Sequence, residues 1–413
     1  MRILSGAAAE RQVTRLANRG YEFAAIEPNV RRIVEDVRRN GDRALRRYAE
    51  KWDGLAARDL FLVPESELEA AAGLVTPKLR ASLKQAAANI RRFCRWQQLK
   101  GWTRKTAGLS LGQMVRPLHS VGCYVPGGRH PLVSTLLMTV IPAQVAGVSE
   151  IRVVSPNPQV EVLAAAFLLG IRSVYRVGGA QAIAALAYGT RSIPRVDKIV
   201  GPGNQFVTIA KKLVAFDCAI DFLAGPTEAL ILGSAGRPDF IAADLVAQAE
   251  HDPAVIPVFI TTSQRLADSV RRHVIQCGAS NRTAAEAIRR HGVVLLASSR
   301  KEAIDWANRI APEHITVERR DLPFLQNAGS IFVGDYSAQA AGDYASGPNH
   351  VLPTAGVARF RGGLTVMDFV KIITVQEVSK RGLQRLRRTI TNLAETEGLR
   401  AHAESIYARC SDA

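Results

Sequence analysis

A chain of 413 residues, 47% hydrophobic and 22% charged, has a globular composition and room for two domains or one large α/β unit with attachments. No run approaches the roughly 18 apolar residues of a membrane span, and the opening MRILSGAAAERQ lacks the sustained apolar stretch of a signal peptide. Five cysteines without a CxxC pair fit a reducing cytoplasm better than a disulfide framework or a zinc–thiolate site. The net charge of +17 raises nucleic acid as a partner. Acids are interleaved with the arginines, however, as in RRIVEDVRRNGDRALRRYAEK, so a solvated basic surface is the better reading, with no nucleic-acid or membrane partner expected.

Residues 1–107 read as an N-terminal helical arm, with apolar residues near helical spacing in VRRIVEDVRRNGDRALRRYAEKW and in TPKLRASLKQAAANIRRFCRWQQ, where Pro77 stands near the start. Over 108–228 short β-branched runs alternate with Ala-rich helical runs: EIRVVSP before VEVLAAAFLLG, SVYRV through GGAQ into AIAALAYG, and KIV through GPGN into QFVTIAKKLV. The alternation resumes over 229–365, with ALILGS, VIPVFITTS and GVVLLAS each followed by a helical run, and then HITVE and SIFVGD. This pattern predicts an α/β fold of two consecutive doubly wound modules with mostly parallel sheets. Residues 366–413 read as a C-terminal helical segment.

Several stretches carry candidate chemistry. The glycines of VGGAQA (Gly178, Gly179) and VGPGNQF (Gly201, Gly203) sit between strand and helix, where helix N-termini attract phosphates. Neither is GxGxxG, and a tight turn explains each equally well. In PDFIAADLVAQAEHD, Asp244, Gln248 and His251 fall at i, i+4 and i+7 on an otherwise apolar helix. They face either a polar cavity or solvent, and Gln248 and His251 can reach one ion. AGDYASGPNHVLPTAG gathers Asp343, Asn349 and His350 in a shaped loop; Asn349 and His350 are equally an Asx-turn and a surface histidine. AETEGLRAHAES offers Glu397 and His402 or a solvated helix. GPTE (Gly225–Glu228) and the Ser134–Thr135 pair after the PGG turn line a pocket or merely connect elements. ANRIAPEHITVE sets Glu313 beside His314, neighbours whose side chains ordinarily diverge.

Together CYVPGG, VGGAQAIAALAYGT, VGPGNQFV, AGPTEAL, ADLVAQAEHDP, APEH, GDYASGPNHVLPT and EGLRAH, in this order, resemble the histidinol dehydrogenase family. The resemblance implies NAD-dependent oxidation of L-histidinol through L-histidinaldehyde to L-histidine in the cytoplasm, with two NAD used in turn. It implies one Zn2+ per subunit held by Gln248, His251, Asp343 and His402, with His314 as general base and Glu313 activating water. NAD contacts map to Tyr124, Gln181 and Asn204. Substrate contacts map to Thr227, Gln248, His251, His314, Asp343, His350, Glu397 and His402. A homodimer is implied, with sites shared through the C-terminal segment that carries Glu397 and His402. Thr227 stands where many members have Ser, which keeps the hydroxyl. LILGSAGRPDF lacks acids often found there, and the stretch between His314 and Asp343 is shorter than in several relatives. The rival readings are a paralogous zinc- and NAD-dependent dehydrogenase for another alcohol such as a sulfonated diol, for which Arg129 would supply an anion contact, and a non-catalytic basic binding protein. Manganese or cobalt suits the same ligands.

Overall fold

The computed structural model describes residues 1–21, 23–127 and 131–410. Where helix was expected, the chain starts with a strand, β1 (Arg2–Ser5), which pairs in parallel with the far-removed stretch Val293–Leu296. Helices Gly6–Ala17, Glu27–Trp52, Glu65–Leu74 and Pro77–Trp96 follow. The last starts where Pro77 predicted, with the Thr76 hydroxyl accepting from the Leu79 N–H at 3.2 Å. Next comes an unforeseen antiparallel pair, β2 (Trp102–Thr106) and β3 (Leu109–Pro117).

The first module contributes β4 (Ser120–Tyr124), β5 (Glu150–Val154), β6 (Val174–Tyr175), β7 (Lys198–Val200) and β8 (Ala219–Ile220). All pair in parallel, in the order β6-β5-β4-β7-β8. The second contributes β9 (Glu228–Leu232), β10 (Ile256–Thr261), β11 (Val293–Leu296), β12 (His314–Val317) and β13 (Ser330–Val333). With β1 added at one edge, its order is β1-β11-β10-β9-β12-β13, again all parallel. Numbered within each module, both sheets run 3-2-1-4-5. The order therefore reverses between the first and fourth strands, at β4/β7 and at β9/β12. Such a switch point leaves a crevice outside the carboxyl ends of the strands.

Both faces of each sheet are covered. On the first, helices Glu65–Leu74, Pro77–Trp96, Val133–Ala146 and Val160–Leu168 bury one face around Val121, Cys123 and Val153. Glu27–Trp52, Gly179–Tyr188 and Gln205–Val214 bury the other around Val154 and Ile199. On the second, Gly6–Ala17 and Arg300–Ile310 enclose Leu230, Ile260 and Ile315. Pro238–Ala249, Gln264–Gly278 and the unforeseen Arg282–His291 enclose Ile231, Phe259 and Val294. The N-terminal stretch thus serves both sheets.

The expectation of helix from 366 is corrected at Val370–Val378, which is β14 and pairs along its whole length with β3. The run VKIITVQEV is rich in β-branched residues, which favour a pleated surface. The ribbon β14-β3-β2 leaves Ile372, Ile373, Val375, Val378, Met114 and Trp102 exposed. Beyond it, helices Lys380–Thr396 and Arg400–Cys410 pack on each other.

Candidate active site

At the carboxyl ends of β4 and β7 the backbone closes tightly. Gly201, just past β7, has φ +114°, and any Cβ there would overlap the Tyr124 carbonyl, so glycine is required. Tyr124 ends β4, is buried, and accepts the Gly179 N–H at 3.1 Å through its hydroxyl. Burial pushes its phenol up to about 12. Buried Gln181 donates to Asp53 Oδ2 at 3.1 Å, which also takes the Gly178 N–H at 3.1 Å. Asn204 is exposed and caps helix Gln205–Val214, its Oδ1 accepting from Phe206 and Val207 at 3.0 and 3.2 Å. Beneath the turn, Lys211 and Asp221 form an ion pair with side chains only 2% and 0% exposed. Lys211 Nζ donates to the Gly201 carbonyl at 3.0 Å, and Asp221 Oδ2 accepts the Gly201 N–H at 2.8 Å. Sequence reasoning missed this clamp; its signal was a lysine on the apolar face of QFVTIAKKLV.

At the amino ends of β9 and β12 the chemistry is carried by side chains instead. Helix Arg300–Ile310 ends on Ala311 in the left-handed region (φ +49°), which with Pro312 turns the chain into β12. The Glu313 carbonyl accepts the Ser330 N–H at 2.8 Å, and a Cβ on Gly329 would lie 2.6 Å from that carbonyl. Adjacent in sequence, Glu313 and His314 are nonetheless buried together, with Glu313 Oε2 3.9 Å from His314 Nδ1. His314 Nε2 lies 3.4 Å from Asp343 Oδ1, and among the described residues neither ring nitrogen has a hydrogen-bond partner. Phe332 stacks on the ring at a centroid distance of 6.0 Å. Burial pushes the Glu313 carboxyl up to about 7, Glu228 and Asp343 adding to the rise and His314 opposing it. For His314, burial disfavours the charge, yet Glu313 and Asp343 outweigh it and raise the imidazole above its usual value.

Asp343 lies in a short helix, Gln339–Tyr344, rather than in the loop expected. Burial opposes its ionisation, but His314, His350 and Gln248 together hold it below the usual carboxylate range. Gln248 is buried and donates to Asp343 Oδ2 at 2.9 Å, so this helix face meets the site and not solvent. Asp244, on the same face, is pushed up to about 6 by burial. The helix stops at Ala249, so His251 lies just past its end and is exposed. His350 Nδ1 meets the Asp343 carbonyl at 2.7 Å, and its Nε2 lies 3.5 Å from the Thr135 hydroxyl. Burial lowers its pKa. Asn349 is a turn residue, its Oδ1 taking the Val351 N–H at 2.8 Å. Thr227 directly precedes β9 beside Glu228, whose backbone N–H donates to Glu313 Oε2 at 3.1 Å.

A family profile described as Histidinol dehydrogenase matches residues 16–410. The chain belongs to the histidinol dehydrogenase family. It is 46% identical over 394 residues to the histidinol dehydrogenase of Methanothermobacter thermautotrophicus, covering 92% of each chain. It is 45% identical over 417 residues to that of Methanosarcina mazei, covering 97% of this chain and 96% of the other. The crystal structure of histidinol dehydrogenase from Elizabethkingia anophelis superposes with a TM-score of 0.93 at 34% identity, covering 99% and 98%. Membership makes the chain an oxidoreductase.

Not every residue implied by the family resemblance converges. His402 and Glu397 are exposed on or beside the two C-terminal helices. Among the described residues no group of three or more His, Cys, Asp or Glu is placed to share a metal ion, so His402 does not join His251 and Asp343 within one protomer. Arg129 lies outside the described residues. Among the described residues no helix is long and apolar enough to cross a membrane.

Proposed function

We propose that the chain oxidises L-histidinol through L-histidinaldehyde to L-histidine in the pocket of Glu313, His314 and Asp343. The observation that carries this is the pair itself: an acid and an imidazole, both buried, 3.9 Å apart and both shifted towards neutral pH or above. General acid–base catalysis is most effective with groups poised near the working pH. His314, its ring nitrogens free of hydrogen bonds, takes the alcohol proton. Glu313 takes a proton from the water that adds to the aldehyde. The approach of the two side chains to within 3.9 Å lets both address one substrate carbon. NAD, bound at the Tyr124–Gly201 crevice with Gln181 and Asn204, supplies the hydride acceptor for each of two oxidations. The helix N-termini there suit its phosphates.

The donors Gln248, His251, Asp343 and His402 fit a zinc ion: amide and carboxylate oxygen and imidazole nitrogen, with Gln248 and the ionised Asp343 already in contact. Zinc bound there would hold the substrate's imidazole and amine. Thr227, next to Glu228, and His350, bonded to the Asp343 carbonyl, would contact the same substrate, and the anionic Glu397 suits the amine. His402 and Glu397 reach it from a second copy of the chain. That reading is supported by their exposed, outlying helices and by the apolar side chains left open along β14. The assembly is then a homodimer with shared sites.

Zinc-loaded protein with excess NAD should yield about two NADH per L-histidinol, ending at histidine. Turnover of a sulfonated diol but not of histidinol would overturn the assignment. Mixing inactive His402→Ala with inactive His314→Asn chains should restore part of the activity. No recovery after confirmed subunit exchange would overturn the shared site.

A further inference from the structure

Glu228 opens a strand that is otherwise apolar, EALIL, and is itself buried. Its carboxylate is gripped from two sides. Arg19, from the segment after helix Gly6–Ala17, sets Nε and Nη2 on the two oxygens as a fork, and Ala355 donates its N–H to Oε1 at 2.8 Å. The side chains of Arg19 and Glu228 are 12% and 6% exposed. Arg19 does more than neutralise. Its Nη1 donates to the Leu16 and Ile310 carbonyls, the latter at 2.7 Å, and its Nη2 lies 3.3 Å from the Ala311 carbonyl. Ile310 and Ala311 are the last carbonyls of the helix that turns through Pro312 into Glu313. One guanidinium thus holds both the turn that delivers Glu313 and the residue whose N–H binds Glu313 Oε2.

We propose that Arg19 and Glu228 are a positioning pair for Glu313, fixing the orientation and local charge of the water-activating carboxylate without touching substrate. A bidentate fork fixes geometry in a way a single ammonium does not. A buried charge pair adds little to stability over an apolar pair of equal volume, so its place beside Glu313 requires another reason. The charged or titratable groups facing Glu313 are the adjoining His314 at the head of β12, Glu228 with Arg19 behind it, Asp343 from the short helix, and Tyr21. Of these, Arg19 and Glu228 are the two that can be changed in opposite senses without entering the substrate pocket.

The inference rests on Glu313 serving the aldehyde-to-acid half. The test measures histidinol and histidinaldehyde oxidation separately, as NADH formed against pH by the zinc-loaded dimer. Glu228→Gln leaves the Arg19 charge unbalanced and should move the acid limb of aldehyde oxidation down by about one pH unit; Arg19→Gln should move it up by about as much. Arg19→Lys keeps the charge but loses the fork, so the limb stays and kcat for the aldehyde falls about tenfold or more, a loss of the size that general-base misplacement produces. The alcohol half and KM for NAD stay within about threefold, the scatter of a substitution outside the pocket. If Arg19→Gln does not fold, the Glu228→Gln shift and the Arg19→Lys rate decide alone. Shifts of the same sign, no shift, or equal losses in both halves overturn the pair's role. Glu313→Gln is the reference: if it spares aldehyde oxidation, the assignment of Glu313 fails. If it abolishes aldehyde oxidation while the Arg19 and Glu228 variants behave as wild type, only the positioning inference fails.

Discussion

The two parallel sheets have the same strand order and carry their candidate residues at opposite ends. In the first, the candidate chemistry lies at the carboxyl ends of β4 and β7, where the chain offers backbone N–H groups and the starts of helices Gly179–Tyr188 and Gln205–Val214. In the second it lies at the amino ends of β9 and β12, where helices Pro238–Ala249 and Arg300–Ile310 finish. Helix starts carry partial positive charge and helix ends partial negative charge. The first end therefore suits the phosphates of a dinucleotide. The second suits a metal ion, a cationic amine and a protonated imidazole. The carboxyl end of the second sheet carries an acid of its own: Glu318 Oε1 takes the Ser234 N–H at 3.2 Å, and Ser234 bonds Thr262 at 2.7 Å. One winding thus provides two ends of opposite polarity, and the side chains set which chemistry each end suits.

The largest break in this comparison comes from the second sheet's imidazole. His314→Asn should lower alcohol oxidation by about 10²–10⁴-fold, the usual contribution of a positioned base, with NAD binding unchanged in a fluorescence titration. Glu313→Gln should spare the alcohol step and block the aldehyde step. If both variants stall identically at the alcohol, the division of labour is wrong.

The converse break belongs to the first sheet. Lys211→Met strands the fully buried Asp221 beneath Gly201 and should cost about 3–5 kcal/mol by denaturant unfolding, as for other broken buried pairs. Pairing it with Asp221→Asn should recover much of the loss. The surviving folded protein should show a raised KM for NAD and an unchanged KM for histidinol. A raised histidinol KM instead would mean that the two ends are not separable.

What the sequence disclosed follows from range. The βα repeats were legible because strands buried on both faces read as short apolar runs ending in glycine turns. Gln248 and Asp343 were singled out by spacing and composition, but their contact spans 95 positions, and nothing local announces it. β14 was misread because a strand exposed along most of its length imposes no inward–outward alternation; its β-branched run was the usable signal. β1 was invisible because four residues acquire a strand conformation only from β11. Arg19 was one arginine among many, and only its approach to Glu228 distinguishes it. The lone acid at the head of EALIL was the legible half of that pair.

The smallest expected effect sharpens the comparison through pH. In the unfolded chain Glu313 ionises near 4.5, whereas burial between the helix end and β12 holds its proton to about 7 in the fold. Between those values the folded state binds the extra proton, so this group's stabilising share is full below 4.5 and is lost as pH rises through 7. At about 1.4 kcal/mol per unit, the rise from 4.5 to about 7 is worth about 3.5 kcal/mol at most. His314, also raised, acts in the same direction: its share is full below its unfolded value and is lost as pH rises through the higher folded one. Asp53, beside the first sheet, is raised by burial as well, so absolute curves mix the two ends. The difference between the wild-type chain and Glu313→Gln, both stripped of metal, isolates Glu313. The variant should gain stability relative to wild type as pH rises from about 4.5 to 7, because its amide has no proton to lose. Asp53→Asn should show a weaker gain, since Gly178 and Gln181 hydrogen-bond its ionised form and offset part of the burial. Parallel unfolding curves for wild type and Glu313→Gln would mean that Glu313 is ionised as readily in the fold as in water, and the amino end of the second sheet would lose the polarity assigned to it.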